Sequence, residues 1–231
     1  MKIFAISDLH ISTNTNKPMD IFGGNWVGYL DKIRADWEQK VTDQDLVLIG
    51  GDISWAMNIE DAKVDLESIA DLKGKKILIK GNHDYWWSGI TKVRDILPKN
   101  MYALQNDSIK FENTVICGSR CWAVPGAPDF NEQDMKIYLR ETERLKLSLN
   151  SAVKLKEEGD RLIALIHYPP FNARRENTAF TDIFESYGVS DVVYGHLHGK
   201  DVRADKLVVK NGIRYHLTSC DLVQNKLTEV Y

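Results

Sequence analysis

Little in this sequence favours a disulfide scaffold, a membrane segment or a polyanion-binding surface. Only three cysteines occur in 231 residues, Cys117, Cys121 and Cys220. An odd count with no Cys-x-x-Cys pair gives neither a disulfide framework nor a zinc-knuckle or thioredoxin-like motif, so the three read as buried, inert thiols. No apolar run approaches the roughly 20 residues of a transmembrane helix. Only four apolar residues separate Met1-Lys2 from Ser7-Asp8, too few for a signal-peptide core, which gives the expectation of a cytoplasmic protein with no membrane partner. Positive charge is in slight deficit, 30 Lys and Arg against 33 Asp and Glu, for a net −3. That balance supplies no basic field for an extended nucleic acid. The length and the 43% hydrophobic content suit one well-filled α/β domain over residues 1–231.

What the chain does have is polar residues placed after short apolar runs. Of its six histidines, all but His216 follow such a run. Ile3 to Ile6 precedes Asp8-Leu9-His10, Leu162 to Ile166 precedes His167, and Val192 to Gly195 precedes His196-Leu197-His198. Leu46 to Ile49 leads through Gly50-Gly51 to Asp52, and Ile77 to Ile79 leads to Gly81-Asn82-His83-Asp84. A β-branched run closed by glycine reads as a buried strand entering a tight loop. In open α/β sheets the ligand site lies beyond the carboxyl ends of the strands, where such residues converge. Taken singly, each block has a plain structural reading: a solvated Asp-x-His loop, a Gly-Gly turn with an Asx helix cap, or a Gly-Asn turn. Their recurrence after successive strands favours a common site, and His216 reads as a strand histidine.

Between these blocks the pattern predicts helices at about 29–40, 59–72, 88–97, 132–158 and 181–187. Residues 11–27 read as an irregular loop at the rim of the site, and 119–130 as a lid loop. Trp55 either roofs the site or packs, and Tyr85-Trp86-Trp87 either stack a ligand or anchor their loop in the core. Residues 101–118 read as two short strands around an Asn106-Asp107 turn. The stretches 202–209, 213–218 and 222–231 read as closing antiparallel strands. Arg174 and Arg175, after His167, suit bidentate phosphate binding and surface charge equally well.

Asp8, His10, Asp52, Asn82, His167, His196 and His198 are too many donors for one open catalytic metal and enough for two if Asp52 bridges them. Imidazoles and carboxylates without thiolate suit manganese first, with iron, zinc, cobalt or nickel also compatible. Two such cations, about 3.5–4 Å apart, hold a hydroxide for in-line attack on a phosphoryl group. His83 then acts as the acid for the leaving oxygen, with Asp84 fixing its orientation.

The ordered blocks Asp8-x-His10, Gly51-Asp52, Gly81-Asn82-His83-Asp84, His167 and Gly195-His196-x-His198 resemble the calcineurin-like metallophosphoesterases along nearly the whole chain. The resemblance implies an α/β fold, a four-layer α/β/β/α sandwich of two mixed β-sheets flanked by helices. It implies one metal on Asp8, His10, Asp52 and His198, and another on Asp52, Asn82, His167 and His196. The protein Ser/Thr phosphatase branch has Asp-Arg after the Gly-Asp block and Arg before Gly-Asn-His; here Ser54-Trp55-Ala56 and Lys80 stand nearby, which argues against that branch. The expected activity is hydrolysis of a phosphomonoester or phosphodiester, with a small molecule or nucleotide as partner. A nucleotide pyrophosphatase or a nuclease is the alternative within the family. A catalytically silent binding scaffold is the alternative outside enzymology, and the complete donor set argues against it.

Overall fold

Strands whose every residue is apolar need cover on both faces, and that requirement organises the chain. The computed structural model describes residues 1–15 and 17–231; Asn16, within the expected rim loop, lies outside the described residues. Five strands form the first sheet. These are β1 (Ile3–Ile6), β2 (Leu46–Ile49), β3 (Lys75–Ile79), β4 (Met101–Leu104) and β11 (Thr228–Glu229), in the order β11-β1-β2-β3-β4. Six strands form the second, β5 (Ser108–Phe111), β6 (Thr114–Cys117), β7 (Arg161–Leu165), β8 (Asp191–Tyr194), β9 (Leu207–Lys210) and β10 (Ile213–Leu217), in the order β5-β6-β7-β8-β10-β9. Both sheets are mixed. β1 to β4 run parallel with β11 antiparallel to β1, while β6, β7, β8 and β10 run parallel between antiparallel β5 and β9.

Side-chain alternation assigns the layers. Ile3, Ala5, Leu46, Leu48, Ile77 and Ile79 of the first sheet meet Ile116, Ile163, Leu165 and Val193 of the second in one buried cluster. The intervening Phe4, Ile6, Val47, Ile49 and Leu78 face Ile33 and Trp37 of α1 (Tyr29–Lys40), Ala62 and Leu66 of α2 (Ile59–Glu67) and Val93 of α3 (Ile90–Ile96). Val115, Leu162 and Val192 pack instead with Leu145 and Leu149 of α4 (Glu132–Leu155) and with Phe180 and Phe184 of α5 (Ala179–Ser186). The result is the α/β/β/α sandwich. The longest helix, α4, starts where the Asn131 side chain accepts the amides of Gln133 and Asp134 at 2.8 and 3.2 Å, a cap that supplies two otherwise unpaired donors. Among the described residues no helix is long and apolar enough to cross a membrane.

Two expectations are corrected. Residues 101–118 hold three strands, and Asn106-Asp107 carries the chain from β4 in one sheet to β5 in the other rather than closing a hairpin. Of the three expected closing strands, β10 pairs antiparallel with β9 but parallel with β8. Residues 222–231 keep only the two-residue β11, which crosses to β1 in the first sheet.

Candidate metal centre

All five polar blocks emerge at the carboxyl ends of parallel strands, three from the first sheet and two from the second. Beyond β1 lie Asp8 and His10, beyond β2 Asp52, and beyond β3 Asn82, His83 and Asp84; His167 follows β7, and His196 and His198 follow β8. The two sets meet because the sheets are stitched at this end. Ser7, just past β1, donates its amide to Thr218 O at 2.8 Å, and its carbonyl accepts the amide of Cys220, past β10, at 3.0 Å. The amide of His196 donates to Asp8 Oδ2 at 3.0 Å. Backbone bonds from Asp8 to Gly51 O (3.0 Å) and from His10 to Asp52 O (2.9 Å) fix the first two loops side by side.

To aim these side chains inward the backbone turns sharply. Asp8, His10, Asp52 and His196 all adopt positive φ, between 45° and 68°, a left-handed conformation that costs most L-residues on the order of 1–3 kcal/mol. Gly81 is required for a different reason, since a Cβ there would overlap the Asp52 carboxylate. The close approach lets Asp52 Oδ1 accept the His83 amide at 2.7 Å.

One ligand atom from each of Asp8, His10, Asp52 and His198 lies within 4.8 Å of the others. Among the described residues, both ring nitrogens of His10 and Oδ2 of Asp52 are buried without a hydrogen-bond partner. Buried polar atoms are ordinarily paired, so unpaired donor atoms converging on one point fit a cation. A second convergence lies beside the first. His167 Nδ1 donates to the carbonyl of Gly50 at 2.8 Å, which leaves Nε2 as the lone-pair nitrogen of a neutral ring. That nitrogen lies 2.7 Å from Asn82 Oδ1 and 3.5 Å from Asp52 Oδ2. His196 Nδ1 lies 2.9 Å from the same Asn82 oxygen. With His167 Nδ1 donating to Gly50, its Nε2 and the Asn82 oxygen face each other as two acceptors, a pairing that a cation between them would relieve.

The electrostatics agree with this chemistry. Burial pushes His167 and His196 down to about 3 and His10 well below its usual range, so their rings are neutral and offer lone pairs. Burial pushes Asp52 up to about 6, and burial together with the Asp52 charge pushes Asp8 well up. Clustered carboxylates short of compensating charge are what a divalent cation would neutralise.

The remaining expected residues fall into different places. His83 is half-buried. Its ring packs against Trp55 at a centroid distance of 4.7 Å, and its Nδ1 lies 3.3 Å from the Tyr85 hydroxyl. The expectation that Asp84 orients this ring meets a different geometry. Fully buried, Asp84 accepts the amides of Ile53 (2.9 Å), Ser54 (3.2 Å) and Gly81 (2.7 Å) and the indole of Trp86 (3.0 Å). It ties the loop after β2 to the loop after β3, because successive side chains in an extended loop point opposite ways. Trp86 and Trp87 anchor the loop in the core while Tyr85 stays exposed. Arg174 is exposed, 3.8 Å from Glu176, and Arg175 pairs with Asp205. His216 pairs at 3.0 Å with Asp191, the first residue of β8.

Trp55, expected either to roof the site or to pack, stacks on His10 at 4.7 Å with an 18° tilt, walling the ligand it touches. One contributor was missed in the sequence. Arg120 accepts the amides of His167 and Tyr168 at its carbonyl, at 3.2 and 3.1 Å, and its charge helps hold His167 down. Arg120 sits in a loop without any motif, so no sequence signal singles it out.

A model of the calcineurin-like phosphoesterases matches residues 1–200. The chain belongs to this family. No curated protein matches it in sequence. In fold it is similar to a Thermus thermophilus protein, at a TM-score of 0.64 and 12% identity over 98% of this chain and 96% of that one. It is also similar to an Aquifex aeolicus protein of unknown function, at a TM-score of 0.53 and 15% identity over 99% and 95% of the two chains. These two likenesses show the sandwich alone. The family makes the chain a phosphate-ester hydrolase by class and implies divalent metal, which the Asp8, His10, Asp52 and His198 cluster fits.

Proposed function

We propose that this calcineurin-like protein is a dinuclear, metal-dependent phosphohydrolase that cleaves a phosphomonoester or phosphodiester of a small molecule or nucleotide by in-line displacement. The observation that carries the reading is the pair of adjoining donor sets sharing Asp52, whose Oδ2 has no hydrogen-bond partner among the described residues. Asp8, His10, Asp52 and His198 would hold one cation, and Asp52, Asn82, His167 and His196 the other; the mixed imidazole and carboxylate donors suit manganese, iron, zinc, cobalt or nickel, and manganese is our choice among them. Bound there, the cations would supply Lewis acidity, neutralising phosphoryl oxygens and activating water.

The chain's own residues do the rest. Neutral imidazoles at His10, His167 and His196 keep their lone pairs directed at the centre, and the His83 amide holds Asp52 in place. With Nδ1 of His83 near Tyr85, Nε2 is the nitrogen placed to protonate the leaving oxygen. Trp55 packs against both His10 and His83 and so fixes the two rings relative to each other. One catalytic domain over residues 1–231 and a cytoplasmic location complete the proposal.

The test is hydrolysis of a chromogenic phosphomonoester and the matching diester by metal-stripped protein, before and after manganese is added, with Asp52→Asn alongside. Turnover restored by manganese, with both bound metal and turnover reduced in Asp52→Asn, is the expected result. Two tightly bound metals with no turnover on either ester would favour a pyrophosphatase or a scaffold instead. Full activity and two metals in Asp52→Asn would remove the bridge.

A further inference from the structure

A cavity of about 840 Å³ adjoins the centre, and His196 is the one member of the expected ligand set that lines it. Cavities of roughly 300–1,000 Å³ take ligands of drug-like size, far larger than a phosphoryl group. Its walls are mainly apolar and aromatic, with Asn172, Arg175, Arg203, Asp205 and Lys206 as the polar part of the lining. Val124 and Pro128 come from the loop after β6, Phe171 from the loop after β7, Tyr194 from the end of β8 and Val208 from β9. Phe171 meets Tyr194 edge-on at 6.1 Å, and Tyr168, also in the lining, lies 4.1 Å from the His196 ring.

The acid lies elsewhere. His83 is not part of this lining, and its ring packs with His10 (5.8 Å), Trp55 (4.7 Å) and Tyr85 (6.0 Å), none of which borders the cavity. An in-line displacement whose leaving oxygen meets His83 therefore directs that group to the Trp55 side. Whatever fills the cavity leaves the phosphorus on the His196 side. A phosphorus bearing organic groups in both directions is a diester, and walls offering ring faces and edges select a ring over a flexible chain.

We propose that the substrate is a phosphodiester whose retained ester group carries an aromatic ring seated in the cavity between the loop after β6 and β9, while the leaving alcohol faces His83. This rests on the phosphohydrolase reading above. Water gives its hydroxyl to phosphorus, the bond from phosphorus to the leaving oxygen breaks, and the departing alkoxide takes a proton through His83. The products are an alcohol and an aryl-bearing phosphomonoester.

The test uses the manganese-loaded full chain and p-nitrophenyl diesters that differ only in the retained group: methyl, octyl or naphthylmethyl. The naphthylmethyl ester should exceed the methyl ester in kcat/KM by about tenfold or more, as burial of a ring in a preformed apolar site predicts. Ala127→Trp and Val202→Trp, at two residues that also line the cavity, should abolish that advantage and leave bound manganese and methyl-ester turnover unchanged. Calorimetry with naphthylmethylphosphonate against methylphosphonate makes the same comparison without turnover. An octyl ester as good as the naphthylmethyl ester would overturn the ring, and equal rates for methyl and naphthylmethyl would overturn the subsite. p-Nitrophenyl phosphate cleaved faster than every diester would overturn the diester assignment; these three results leave the hydrolase standing. Hydrolysis of no ester at all would overturn the hydrolase reading and this one with it.

Discussion

His83→Ala removes an imidazole and keeps the backbone amide that donates to Asp52 Oδ1 at 2.7 Å. The ring itself contacts Trp55, His10 and Tyr85 and is half-exposed, so its loss leaves the ligand loops in place. Metal content should therefore stay at the wild-type level. A positioned general acid is worth about 10²–10⁴-fold, and a poor leaving group needs all of it. Alkyl phosphoester turnover should fall within that range, whereas p-nitrophenyl ester turnover, whose leaving group departs as a stable anion, should fall by less than about tenfold. The pH profile gives a second readout. Burial, with the charges of His198 and Lys17, holds His83 below 6.5 despite the pull of Asp52. The protonated ring is the acid, so wild-type kcat on an alkyl ester should decline as pH rises through a value below 6.5, and the variant should lack that limb. Steady-state kinetics on the two ester types, with bound metal measured by elemental analysis, decide the matter. Equal losses on both esters would take the acid role away from His83, and loss of metal would show that the ring supports the ligand loops.

Asp84→Ala strands four buried N–H donors now held by one carboxylate. With about 1–3 kcal/mol for each donor left unpaired and water partly replacing the rest, Tm should drop by roughly 5–15 °C and metal occupancy should fall with it; an unchanged Tm combined with the leaving-group pattern of His83→Ala would restore the orienting role expected from the sequence. Asp191, bonded to Arg214 at 2.7 and 2.9 Å and to His216 at 3.0 Å, is held down at about 2 against its own burial. Its folded-state value lies below the unfolded 3.8, so its contribution of about 2 kcal/mol is present above pH 3.8 and lost as pH falls through 2. Asp191→Asn should therefore be less stable than wild type at pH 7 and nearly equal to it at pH 2 by urea unfolding, and a gap that persists at pH 2 would refute the charge-based account.

The site was legible because of the way parallel sheets are built. A strand covered on both faces reads as an uninterrupted apolar run, so its carboxyl end is marked by the first polar residue, and Asp8, Asp52, Asn82, His167 and His196 all stand just past such a mark. Helix α1 was legible to its boundaries because Ile33 and Trp37 repeat at helical spacing. Strand partners were not, because partnership is a long-range property that a four-residue run does not encode. Met101–Leu104 and Ser108–Phe111 are separated by three residues yet belong to different sheets. Asp84 misled for a local reason. Adjacency to His83 suggested contact, while the loop sends the carboxylate inward to the amides of Ile53, Ser54 and Gly81.

The left-handed positions at Asp8, His10, Asp52 and His196 are not glycines themselves, and their strain depends on neighbours to hold it. The neighbours are other ligand loops: His10 is pinned to the Asp52 carbonyl, His83 to the Asp52 carboxylate and His196 to the Asp8 carboxylate. Each loop is thus held in its strained form by a second loop that also supplies a ligand. A bound cation would join the same loops through their side chains, so metal binding and loop geometry reinforce each other. For that reason stripping the metal should loosen the strand ends together rather than one loop at a time, and hydrogen exchange at the amides of Asp8, His10, His83 and His196 should rise in concert; an increase confined to one of them would break the argument.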